Sequence, residues 1–135
     1  MPELPEVEIV RRGLDATFVG HAVHTVVARR PDLRWPIPTD LDRRLAGARL
    51  RAVRRRSKYL LLDFDAGTLI VHLGMSGTLR WREPGAPAGA HDPFDLDFGD
   101  RLLRLNDPRR FGAVLWSERD PADEAAAHPL FRRLG

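Results

Sequence analysis

The chain has no cysteine among its 135 residues, one tyrosine, and a single lysine, Lys58, among 22 basic side chains. Without cysteine, these residues can build neither a disulfide scaffold nor a cysteine-ligated zinc site. No apolar run is long enough to cross a bilayer, and no basic segment followed by an apolar stretch opens the chain. The reading is a soluble, intracellular protein. The shortage of lysine singles out Lys58. An ammonium is a compact charge on a titratable amine, and arginine offers neither that shape nor titration near neutral pH.

What is present fits one domain. With 43% hydrophobic and 30% charged residues, the chain can bury an ordinary core. A net charge of +3 and a sequence pI near 10.4 favour a polyanionic partner. There is no internal repeat.

Residues 1–20 read as a short start and one helix. Pro5 suits the first turn, Glu3, Glu6 and Glu8 suit the positive end of the helix dipole, and Gly20 is a stop. Leu4, Val7, Val10, Leu14 and Phe18 recur at helical spacing and face a core. Residues 21–29 read as a strand with Val23 and Val27 on one face, 31–38 as a proline-rich loop, and Thr39 as the cap of a short helix ending before Gly47. Seven further strands follow at about 49–56, 58–64, 68–73, 78–82, 93–98, 101–106 and 112–117. The clearest pair is the hairpin turning at Gly99-Asp100, where Asp and Arg side chains can pair across an outer face. Residues 83–92 read as a mobile loop and 121–134 as short helical turns. The expected fold is mainly β (α+β): a two-sheet β-sandwich of about eight strands, with one N-terminal helix and C-terminal helical turns.

Four stretches can carry chemistry. Initiator methionine is normally removed before proline, which would expose Pro2 as a secondary amine. A chain-terminal amine titrates near about 7.7–8.0, far below lysine, so a nucleophilic fraction exists at neutral pH. Attack on an aldehyde-level carbon gives an iminium, an electron sink for breaking neighbouring carbon–oxygen bonds, and Glu3 beside it can move a proton. With Met1 in place, Pro2 is an amide nitrogen and cannot react. Taken alone, Pro2-Glu3 is more commonly just a helix start. Continued as a strand, Arg54, Arg56 and Lys58 would share one face, which suits either a phosphate backbone or plain solvent. His72-Leu73-Gly74-Met75-Ser76-Gly77 reads as a tight turn presenting Met75, either a core filler or a plug for the gap left by an extruded base. Asn106 to Gly112 reads as a turn between two strands, with Arg109, Arg110 and Phe111 able to hold phosphate, read a base edge or wedge into a stack. Asp92, Asp95, Asp97 and Asp100 alternate with apolar residues, so they read as a solvated strand face rather than a cation site.

Met-Pro-Glu-Leu-Pro-Glu-Val-Glu at residues 1–8, Arg-Arg-Arg-Ser-Lys-Tyr-Leu-Leu-Leu at 54–62, His-Leu-Gly-Met-Ser-Gly at 72–77 and Asp-Pro-Arg-Arg-Phe-Gly at 107–112 occur in that order. Together they resemble the N-terminal catalytic domain of the formamidopyrimidine-DNA glycosylase family over essentially the whole chain. The Met75 turn and the Arg109–Phe111 loop favour that branch over the sister endonuclease VIII. The resemblance implies a base-excision enzyme with AP lyase activity on 8-oxoguanine and formamidopyrimidines in double-stranded DNA, acting as a monomer in the cytoplasm at the nucleoid. Pro2 would be the Schiff-base nucleophile, Glu3 the proton donor, and Lys58 a phosphate ligand that assists elimination. His72 and His91 would lie near phosphates. Met75, Arg109 and Phe111 would fill the void, with Arg109 toward the orphan cytosine. The family's second half, a helix–two-turns–helix region and a zinc finger, is missing here, so one zinc belongs to that region and no cofactor or metal is expected in this chain. Residues 1–135 are read as a single domain that binds and excises poorly alone. Two rival readings remain: a DNA-binding module without catalysis, and an N-terminal-proline enzyme acting on small molecules, whose activity would not fall with salt.

Overall fold

Fifteen residues, Leu4–Phe18, form helix α1. The structure, a computed structural model, describes residues 4–74 and 76–118. Val7, Leu14 and Phe18 are buried along one stripe and Val10 packs beside them, as the helical spacing predicts. The end of α1 docks on the 97–101 hairpin turn. Phe18 meets Phe98 with ring centroids 5.0 Å apart, and Arg101 donates to the Thr17 carbonyl at 2.8 Å, satisfying one of the carbonyls a helix end leaves open.

Eight strands follow: β1 (Thr25–Ala28), β2 (Ala52–Arg56), β3 (Tyr59–Phe64), β4 (Gly67–His72), β5 (Thr78–Arg82), β6 (Phe94–Asp97), β7 (Leu102–Asn106) and β8 (Ala113–Ser117). They form two four-stranded antiparallel sheets, ordered β1-β6-β7-β5 and β2-β3-β4-β8. One apolar cluster joins both sheets and α1, from Val7 and Phe18 to Leu62, Val71, Leu96 and Leu105. The sandwich with its N-terminal helix is therefore as expected. Residues 121–134, read as helical turns, lie outside the described residues. Among the described residues no helix is long and apolar enough to cross a membrane.

The two middle strands of the second sheet, β3 and β4, are buried on both faces. Tyr59, Leu61, Ile70 and Ala113 form a separate cluster, with Trp35 and Leu115 packed against it. This explains why β3 and β4 read as continuous apolar runs rather than alternating ones.

Four local expectations are corrected. The first strand starts only at Thr25, after Val23 has already entered the core. Helix α2 (Leu41–Leu45) starts from Asp40 rather than Thr39, and Asp40 makes no side-chain cap. Asp42 reaches instead to β1, accepting from the Val26 N–H at 2.8 Å and the Thr25 hydroxyl at 2.9 Å. Arg54, Arg56 and Lys58 do not line one strand face. The strand ends at Arg56, Ser57-Lys58 is a turn with Ser57 left-handed at φ 51°, and Arg54 is held by Asp63 at 2.5 Å and 2.9 Å. Finally, Asp95 is not solvated. It pairs with Arg104 across the hairpin as expected, but both are buried, at 2% and 5% exposure.

That buried pair anchors the loop before β6. Arg104 binds both Asp95 oxygens at 3.0 Å and donates to the carbonyls of Pro87 at 2.9 Å and Ala86 at 3.0 Å. Arg29 adds a third bond to Asp95 at 2.6 Å. Burial would raise the Asp95 carboxyl, but the bonds from Arg104 and Arg29 outweigh it and hold it below the usual carboxylate value. The 83–92 loop lacks a core pattern, yet its backbone is tied to the sheet.

Candidate nucleic-acid interface

The connection from β7 to β8 is more than a hairpin loop, because its two strands belong to different sheets. It crosses the seam of the sandwich and holds Arg109, Arg110 and Phe111, all exposed, with Phe111 at 49%. Trp81 on strand β5 is exposed to a similar degree, at 46%, but only the Phe111 ring stands next to two arginines in its own loop, an arrangement that suits a surface receiving something flat. Arg110 is left-handed at φ 57°, a conformation that an L side chain adopts only when its surroundings enforce it.

Beside this loop lies an open cleft of about 780 Å³ lined by Asp32, Leu33, Arg34, His72, Gly74 and the Arg109–Phe111 segment. Thus His72, Arg109 and Phe111, far apart in sequence, meet in one place. The sequence reading missed Arg34. It sits in the proline-rich loop, its guanidinium 4.5 Å over the Trp35 ring, and its N–H donates to the Gly112 carbonyl at 3.2 Å. The signal was available, since Arg34-Trp35 is the same basic–aromatic pairing that marked Arg109–Phe111. Asp32 is the one acid on the lining, 4.0 Å from Arg110.

His72 ends β4 and is 5% exposed. Its ring lies against Tyr59, with centroids 4.9 Å apart, and its Nδ1 accepts the Gly74 N–H at 3.1 Å, which leaves the proton on Nε2 in the neutral ring. Burial, reinforced by the positive charges of Arg34 and Lys58, pushes its pKa below the ordinary value, so His72 is a neutral donor at pH 7. Burial likewise pushes the neighbouring Tyr59 hydroxyl up to about 12.

Lys58 and His91 do not line this cleft. Lys58 stands in the β2–β3 turn, half-buried. That turn is linked to α1: Arg55 donates to the Ser57 carbonyl at 3.1 Å and to Glu8 at 3.1 Å, and Glu8 also takes Arg11 and Arg12. The bonds from Arg11, then Arg55, hold the Glu8 carboxyl down at about 2. Glu8 therefore serves as a strut between the helix and the turn, rather than as a partner for the helix dipole. The His91 side chain is exposed, and its carbonyl accepts the Asp107 N–H at 2.9 Å, which joins its loop to the Arg109 loop. Pro2, Glu3 and Met75 lie outside the described residues. By connectivity alone, Pro2 and Glu3 directly precede α1, and Met75 follows Gly74.

A family model described as the formamidopyrimidine-DNA glycosylase N-terminal domain matches residues 1–114. The formamidopyrimidine-DNA glycosylase of Stenotrophomonas maltophilia is 55% identical over 136 residues, covering 100% of this chain and 48% of that protein. That of Thioalkalivibrio sulfidiphilus is 56% identical over 137 residues, with 100% and 49% covered. The chain thus spans about half the length of the curated relatives it matches. Among solved structures, Lactococcus lactis Fpg in complex with abasic-site DNA superposes with a TM-score of 0.85 at 33% identity, covering 93% of this chain and 47% of that one. The wild-type Lactococcus lactis Fpg with N7-benzyl-Fapy-dG DNA gives the same TM-score, 0.85, at 34% identity. The chain belongs to the formamidopyrimidine-DNA glycosylase family, through its N-terminal domain.

Proposed function

We propose that these residues are the catalytic part of a base-excision DNA glycosylase with AP lyase activity on duplex DNA carrying oxidised purines such as 8-oxoguanine and formamidopyrimidines. The observation that carries the reading is the cleft where half-exposed Phe111 stands beside Arg109, Arg34 and neutral His72. An enzyme that works on a base must take it out of the stack, and something must support the gap. An exposed ring beside guanidinium groups suits that task. Arg109 and Phe111, with Met75, are assigned to it, Arg109 toward the orphan cytosine. His72, His91 and Lys58 are assigned to phosphates.

The chemistry is assigned to the N-terminus. With Met1 removed, the Pro2 nitrogen bonds to C1′ of the damaged nucleotide. The C1′–base bond breaks and the base leaves with its electron pair; Glu3 gives its own proton to one of the two departing groups, base and ring oxygen, and relays to the other the proton that the Pro2 nitrogen loses as the iminium forms. The resulting iminium draws electrons from C2′ once a proton is lost there, and the 3′ phosphate leaves, with Lys58 balancing its charge. Water then releases Pro2. Because the relatives are about twice as long, these residues alone bind duplex weakly and excise little.

The test is borohydride reduction in the presence of an abasic-site duplex, read by intact mass for species with and without Met1. The abasic aldehyde needs no lesion recognition. An adduct only on the species lacking Met1 supports Pro2 as nucleophile, and its yield should fall with salt by a slope of about 0.9 per neutralised phosphate. A Met1-free sample that forms no adduct means that the rest of the protein is required for the chemistry or that these residues only bind DNA. An adduct yield indifferent to salt points to a small-molecule enzyme.

A further inference from the structure

Asp107 closes β7 and is 1% exposed. A buried carboxylate normally needs strong partners. Here Oδ2 accepts the Gly112 N–H at 2.9 Å, and Oδ1 has no hydrogen-bond partner among the described residues. The carboxylate thus lies inside the bend of its own loop. The Asp107 carbonyl also accepts the Arg110 N–H at 3.2 Å, and its N–H holds the His91 carbonyl. These bonds close the turn in which Arg110 is left-handed.

The same loop is pressed against the 72–77 turn, backbone to backbone. A Cβ on Gly112 would stand 2.5 Å from the His72 carbonyl oxygen and 2.7 Å from Asp107 Oδ2. A Cβ on Gly74 would stand 2.7 Å from both Gly112 N and Phe111 C. Gly74 in turn donates to His72. A series of close approaches therefore runs Asp107–Gly112–Gly74–His72, with no room for a side chain between the two segments.

We infer that Asp107 is a positioning residue that locks the Arg109–Phe111 loop and the Gly74 turn into one body, so that the segments offered to DNA are ordered before it arrives. The DNA part of this inference rests on the function proposed above. A loop already fixed loses little freedom on binding, whereas a loose one must be ordered at the expense of affinity. Asp107 touches no substrate and acts only through the backbone of its neighbours.

The test uses the gene product that carries these residues, with Met1 removed, and follows borohydride-trapped adduct against concentration of abasic-site duplex. Asp107→Ala is expected to raise the half-saturating DNA concentration about tenfold while the saturating rate stays, because the loosened loop must then be ordered on binding. Asp107→Asn keeps an oxygen for Gly112 and is expected to recover most of the loss. Amide exchange should show Gly112 and Gly74 losing protection together in Asp107→Ala. Gly74→Ala, which wedges the two segments apart without touching Asp107, should raise half-saturation in the same way. Unchanged half-saturation in Asp107→Ala or in Gly74→Ala overturns the inference, as does faster exchange at Gly112 with Gly74 unaltered. If the unsubstituted protein forms no adduct, the functional reading fails, and the exchange comparison still decides whether the two segments are locked.

Discussion

Asp95 and Arg104 face each other across β6 and β7 and are joined at two points, each 3.0 Å long, with both side chains sealed from water. The guanidinium makes two further bonds, to the Ala86 and Pro87 carbonyls. Such a pair is worth little against an apolar replacement of both partners, but losing Arg104 leaves buried Asp95 with Arg29 alone and strands the Ala86 and Pro87 carbonyls. Arg104→Met should therefore destabilise the fold by about 3 kcal/mol. Urea denaturation checks this, and a loss under about 1 kcal/mol would contradict the fully desolvated pairing.

The acid limb of stability should carry the signature of two carboxylates. Asp95 and Glu8 are both depressed in the folded protein, Glu8 to about 2 from an ordinary 4.5. A depressed carboxylate contributes stability that is fully present above its unfolded value and is lost as pH falls through its folded value. Glu8→Gln should therefore flatten the stability profile between pH 4.5 and about 2 and leave the neutral region parallel to the original. Thermal melts across that range measure it.

His72 should resist protonation. Its midpoint in an NMR titration of the free protein is expected below the ordinary value near 6.5, with the Nε2–H tautomer visible at neutral pH. Because the shift is downward, the stability tied to the neutral ring is complete above about 6.5 and drains as pH falls toward the folded midpoint. A midpoint above 6.5 would mean that the ring is not desolvated as described.

Phe111→Ala separates folding from binding. The ring is 49% exposed, so its removal should change stability by no more than about 0.5 kcal/mol. If the ring stacks in the DNA, affinity for a lesion duplex should fall by about 1–3 kcal/mol in a binding titration at fixed salt.

Local patterns in the sequence report the elements well and their surroundings poorly. The stripe of Val7, Leu14 and Phe18 and the hairpin at Gly99 are short-range signals, and both are found where the spacing puts them. Asp95 defeats the alternation rule because the carbonyls that complete its pairing with Arg104 and help cover it arrive from a loop whose own sequence has no pattern. Trp35 and the second apolar cluster are invisible for a like reason: nothing in a proline-rich stretch says which sheet face it will cover. At the candidate site, Arg109 and Phe111 stand out as basic–aromatic neighbours, yet Asp107, the residue that shapes their loop, looks like an ordinary turn former. Only the meeting of Gly74 with Gly112, 38 positions apart, shows that the two motifs are one object.

Ser57 and Arg110 are the two non-glycine residues held left-handed among those described, and each lies in a segment assigned to DNA. Such a conformation costs on the order of 1 kcal/mol that glycine would not incur. A selection for heat resistance blind to repair would therefore favour Ser57→Gly and Arg110→Gly early, and would loosen the Lys58 turn and the Phe111 loop in doing so. On the function proposed above, thermal tolerance and DNA recognition pull in opposite directions at these two positions, and the stability held back there is gained only by giving up some grip on DNA.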